Sequence, residues 1–187
     1  MKATLPSKSW LTRLGFGDET TAQAYYKKIG AIPAKDTFSK WLAANGFEAG
    51  FRSNDVVFFN PNEIGLGRRV NCRKTGTSAP IIACYNTKFG DVGGNVDEML
   101  EDTADLVGPG DSVAMEFSPG GLSAERNVKY YIYGPDGKLK TKTAFDTEGY
   151  VKYVPNVCNH CHNGGTGLCL GRGYVVRRTS SPVALSM

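Results

Sequence analysis

Histidine is the scarcest functional residue in this chain: two are present among 187 residues, His160 and His162. That scarcity excludes sites built on several imidazoles, and a Ser-His-Asp arrangement would have to use one of these two neighbours. Long apolar runs are also missing. No stretch approaches the roughly eighteen apolar residues of a membrane-crossing helix. Charge of one sign does not cluster either. The net charge is +4, and no block of about five Lys or Arg occurs, so nucleic-acid binding has no electrostatic footprint. Internal repeats and low-complexity segments are absent, as are carboxylate pairs at catalytic spacing.

What is present suits one ordinary folded unit. The chain is 41% hydrophobic and 21% charged, enough to bury a core and too apolar for disorder. Its length fits a single domain over 1–187. Residues 1–17 read as an N-terminal extension and 168–187 as a C-terminal tail without a recognisable pattern.

Local signals give an α+β fold. A helix is expected over 19–30, capped by Asp18 and stopped by Gly30, and a second over 36–46, capped by Asp36 or Thr37 and stopped by Gly46. Phe38, Trp41 and Leu42 lie at helical spacing and read as core, with a haem-pocket wall as the other use of Phe38 or Trp41. A mid-chain helix over 95–107 has Asn95 as its cap, Glu98 three positions on, and an apolar face of Val96, Met99, Leu100, Leu106 and Val107. Its acidic face, Asp97, Glu98, Glu101, Asp102 and Asp105, reads as solvated or as a dock for a basic redox partner.

The rest reads as an antiparallel β-meander. Strands are expected over 55–59, 80–89, 112–117 and 128–133. Gly134-Pro135-Asp136-Gly137 predicts a hairpin turn with a return strand over 138–144. Gly65-Leu66-Gly67 lacks the further residues of a phosphate loop and reads as a bend between strands. Arg68 and Arg69 read as surface arginines or as partners for propionates. In an oxidising compartment Cys72 and Cys84 would cross-link two strands, contributing about 3 kcal/mol.

The chemistry is concentrated in Cys158-Asn159-His160-Cys161-His162. Two cysteines three apart, followed at once by a histidine, form the haem-attachment pattern. Each thiol adds to one vinyl group, and His162 falls where it can ligate the iron. The other use of these residues is zinc, held by Cys158, Cys161, Cys169 and one of the two histidines, in a non-redox binding module. An inert or redox-active thiol pair is a third reading.

On Cys158, Cys161 and His162 the chain resembles c-type cytochromes. Ala24-Tyr25-Tyr26, Trp41-x4-Gly46-Phe47, Leu66-Gly67-Arg68, Ala83-Cys84-Tyr85, Ala114-Met115-Glu116-Phe117 and Val154-Pro155-x2-Cys158-x2-Cys161-His162 extend the likeness. Together they look like a family of exported bacterial cytochrome-c-like proteins in which a β-rich domain delivers the motif late. β-Sheet cytochromes that oxidise hydroxylamine or bind nitric oxide are more distantly similar. The resemblance implies one covalent haem c, periplasmic or extracellular location, and an unidentified redox partner protein. Met1–Leu14 lacks the apolar core of a secretory signal, so the implied signal is expected to be removed or to lie upstream.

The sixth iron ligand separates the functions. His160 lies inside the attachment loop and cannot reach over the ring. Methionine is the next choice, from Met115, Met99 or Met187. Met115 shares a strand face with Phe117 and is the preferred candidate. A Met-ligated haem is an electron carrier. An open position would bind or react with nitric oxide, peroxide or hydroxylamine. With no evident distal base, the expectation is a carrier rather than an enzyme.

Overall fold

The computed structural model describes residues 17–47, 56–59, 66–90, 95–105, 108–120, 127–144, 149–162 and 174–178. Leu106 and Val107 of the expected apolar face, the N-terminal sixteen residues, Cys169 and Met187 lie outside them. The architecture is α+β: an antiparallel sheet with helices α1 (Glu19–Lys28), α2 (Phe38–Ala44), α3 (Val96–Asp105) and α4 (Asn156–His162). The strands are β1 (Val56–Phe59), β2 (Gly67–Thr75), β3 (Ile81–Phe89), β4 (Ser112–Ser118), β5 (Asn127–Tyr133), β6 (Lys142–Thr143), β7 (Lys152–Tyr153) and β8 (Tyr174–Arg178). The large sheet runs β5-β4-β3-β2-β1-β8, and β6 pairs with β7 apart from it. Strands β1 to β5 are joined to their sequence neighbours, the meander that the alternation predicts. The tail, patternless in sequence, supplies an edge strand: β8 pairs antiparallel with β1, with a bulge between Val57 and Phe58.

The helix ends follow local chemistry. The Asp18 carboxylate accepts from the Thr21 N–H at 2.7 Å, and the Thr37 hydroxyl accepts from the Lys40 N–H at 3.3 Å. Each cap satisfies a donor that the first turn leaves open, worth about 1 kcal/mol. Asn95 caps α3 by accepting from the Asp97 N–H.

Two readings of the sequence are corrected here. Gly67 does not sit in a bend; it opens β2. A Cβ there would collide with the Thr103 hydroxyl and the Met99 sulfur of α3. The residue is glycine because a helix lies directly on the strand. The segment Lys138–Ala144 does not return as a full strand beside β5. A lone bridge joins Tyr133 to Leu139, and only Lys142–Thr143 is extended into a ladder, with β7. The outer edge of β5 is taken instead by α1. The Tyr25 hydroxyl accepts from the Tyr130 N–H at 2.7 Å and the Tyr26 hydroxyl accepts from the Ile132 N–H at 3.3 Å. Tyr26 also donates to the Lys140 carbonyl at 2.8 Å. Side chains thus close an edge that would otherwise invite another strand.

The core reaches both faces of the sheet at its β5 end: Trp41, Tyr131 and Tyr133 lie on one face, and Tyr130 and Ile132 on the other, clustered with Val154, Val157 and Cys158. Trp41, fully buried, packs against Phe47, Tyr85 and Tyr131, and Phe38 against Tyr85 and Tyr133. These aromatics fill the space above β4, so the deeply buried side of β4 is Ser112, Ala114, Glu116 and Ser118, all small except the glutamate. Val113, Met115 and Phe117, the apolar side, are only half-buried. Alternation gave the right period but could not tell which side carries the thicker layer.

Candidate functional site

Directly paired residues in an antiparallel sheet project to the same face. Cys72 pairs with Cys84, Cys84 with Met115, and Met115 with Tyr130. One transverse row on the face away from Trp41 therefore runs Cys72–Cys84–Met115–Tyr130. Cys72 and Cys84 form a disulfide, with Cα atoms 4.1 Å apart. Tyr130 turns its backbone N–H outward to Tyr25, so it is a non-hydrogen-bonded partner of Met115, the pairing in which side chains approach most closely.

The row ends on the motif. β7 leads through Val154 and Pro155 into α4, which carries Cys158, Cys161 and His162. Helical geometry sets residues three and four apart on one side, so these three positions share a face of α4. Val154, Val157 and Cys158 are buried in the main core cluster with Tyr25, Tyr26, Tyr130 and Ile132. The His162 ring lies over the Tyr130 ring, with centroids 5.6 Å apart and planes inclined by 21°. Two of the residues singled out in the sequence, His162 and Met115, thus each neighbour Tyr130. The Cys158 thiol is also close enough to Tyr25 and Tyr26 to influence both. Burial raises each phenol well above its ordinary range, and a charge on the sulfur would raise it further.

No known protein family, no curated protein and no solved structure matches this chain. The resemblance to c-type cytochromes rests on the sequence motifs alone.

Other sequence candidates fall elsewhere. Met99 is buried under α3, against Gly67 and Gly90 at the far end of the sheet. Phe38 and Trp41 belong to the core on the opposite face from Tyr130. Arg69 is not a solvated surface residue; it is buried in β2, between Val57 and Thr87 in register. Asp97, Glu98 and Glu101 are exposed on α3. Among the described residues no three His, Cys, Asp or Glu side chains gather as a metal site; Cys169, needed for the zinc arrangement, is not among them.

One cluster escaped the sequence reading. Glu116 is buried and accepts from Lys35 at 2.5 Å, Asn45 at 3.2 Å and Ser118 at 2.6 Å. Lys129 in turn donates to Ser118 at 2.8 Å and to the Pro119 carbonyl at 2.9 Å. Burial alone would push the Glu116 carboxyl up. Its hydrogen bonds and the Lys35 charge outweigh that and hold it below the usual carboxylate range. Desolvation lowers Lys129. A charged residue inside an apolar alternation was the available signal. The cluster ties α2 and the loop before it to β4 and lies on the face away from His162.

Proposed function

We propose that this chain is a mono-haem c-type cytochrome that transfers electrons, with haem c bonded to Cys158 and Cys161 and ligated by His162. The observation that carries the reading is α4: it holds the three motif positions at helical spacing, with Cys158 buried in one cluster with Tyr25, Tyr130 and Ile132 and the His162 ring stacked on Tyr130. Those residues fit the group. The wall is apolar and aromatic, as a porphyrin needs, and Cys158 lies one helical turn before a histidine that can ligate. Bound haem would supply one-electron iron chemistry. The chain supplies position and exclusion of water. α4 fixes the attachment points, the core around Val157 and Cys158 keeps solvent away, and Met115 lies one strand inward from Tyr130 as the candidate sixth ligand. The Cys72–Cys84 disulfide agrees with an exported protein, because haem attachment and disulfide formation belong to the same compartments.

The test is covalent haem. The full chain, produced with a c-type maturation system, is expected to keep its haem through acid-acetone extraction and to give a c-type pyridine haemochrome. Replacing Cys158 and Cys161 with alanine should abolish both signals. Complete extraction of haem from the unaltered protein would reject the reading, and stoichiometric zinc in its place would favour the binding module.

A further inference from the structure

The histidine of an attachment motif must hold its ring at a defined angle, because the imidazole plane sets how the ligand's π orbitals meet the metal's. The five-residue sequence pattern specifies the ligand and not its angle. In this chain the contact is explicit. The His162 ring is nearly parallel to Tyr130, at 21° and 5.6 Å. Stacking of two flat rings restricts rotation of the smaller one.

Tyr130 is itself well held. It is 3% exposed. Its N–H donates to the Tyr25 hydroxyl at 2.7 Å, and Tyr25 donates back to its carbonyl at 3.4 Å. Met115 faces it from β4. The platform beneath the histidine is thus a paired strand fastened at its outer edge to α1, a more rigid support than a loop.

We propose that Tyr130 is the positioning residue of His162: its ring fixes the plane of the imidazole, and Tyr25 fixes Tyr130. This rests on the cytochrome reading, since an orienting contact matters most where the ring binds a metal. The role needs the flat ring and not the phenol oxygen.

The experiment uses the full haem-loaded chain and two substitutions, Tyr130→Phe and Tyr130→Leu. Low-temperature electron paramagnetic resonance of the ferric protein reports the ligand plane. Tyr130→Phe should keep the unaltered g values. Tyr130→Leu should shift or broaden them, and lower the yield of attached haem several-fold. A Tyr130→Leu protein with unaltered g values overturns the proposal and leaves the cytochrome reading standing. An unaltered chain that attaches no haem overturns both. If Tyr130→Leu does not fold, the haem-free unaltered chain decides: the ring protons of His162 should show an upfield shift from the Tyr130 ring, kept in Tyr130→Phe. Shifts of an unstacked histidine there would also overturn it.

Discussion

Tyr25 acts as a surrogate strand for Tyr130: one hydroxyl accepts the backbone N–H at 2.7 Å and donates to the carbonyl of the same residue at 3.4 Å. Most of the outer edge of β5 is closed by this contact and by Tyr26, which is why the chain after the Gly134–Gly137 turn leaves the strand. Removing the oxygen strands a buried N–H, a loss of about 1–3 kcal/mol. Tyr25→Phe is expected to lower the urea midpoint accordingly and to speed amide exchange at Tyr130. Tyr131 offers a control. Among the described residues its buried hydroxyl has no hydrogen-bond partner, so Tyr131→Phe is expected to be neutral or slightly stabilising. Equal losses in the two variants would contradict the assignment.

The disulfide closes a hairpin whose cysteines are 12 positions apart. Loop-closure entropy gives about 3 kcal/mol for a loop of this size. Cys72 is exposed and Cys84 half-buried, so a reductant can reach the bond. Reduction should raise the mass by about 2 Da, for two hydrogens gained, and lower the denaturation midpoint while the ladder between β2 and β3 persists. Alkylation of both cysteines before any reductant is added would refute the bond.

Much of this architecture is legible in the sequence because it is locally encoded. Asp18 and Thr37 mark helix starts, and the alternation in β4 and β5 marks strands. What was not legible depends on distant partners. β8 pairs with β1 across most of the chain, and its sequence carries no alternation to announce it. The direction in which β4 buries its side chains is set by Trp41, Tyr131 and Tyr133, not by β4 itself. Glu116 alternates with the apolar Met115 and Phe117, and its buried role depends on Lys35 and Asn45, which are far from it in sequence. The motif was legible as chemistry, whereas the stacking of His162 on Tyr130 depends on how α4 returns to the sheet.

Glu116 should dominate the acid limb of stability. Its folded-state carboxyl titrates below the usual range because Lys35, Ser118 and Asn45 donate to it. Its stabilisation is therefore complete above the ordinary carboxylate pKa and is lost as pH falls through the depressed folded value. Glu116→Gln keeps the shape but removes the charge. It is expected to cost about 1–3 kcal/mol at neutral pH and to flatten the decline of stability below pH ~5. Thermal melts across the acid range measure this. A slope as steep as that of the unaltered protein would assign the acid limb to other carboxylates.

Met115 is the residue on which carrier and ligand-binding functions divide. It lies on the same sheet face as the Tyr130 ring that supports His162, in the closest class of cross-strand pairs. If its sulfur completes the iron's coordination, the oxidised protein should show the weak far-red sulfur-to-iron absorption. Met115→Ala should remove that band, lower the reduction potential and open the site to nitric oxide, while leaving covalent haem at Cys158 and Cys161 in place. Cutting the side chain back to Cβ should also cost about 2–3 kcal/mol, the low end for methionine truncation because the site is only half-buried. An unaltered protein that lacks the band and binds nitric oxide directly would instead have an open sixth position, and Met115 would then be a wall of the distal pocket rather than a ligand.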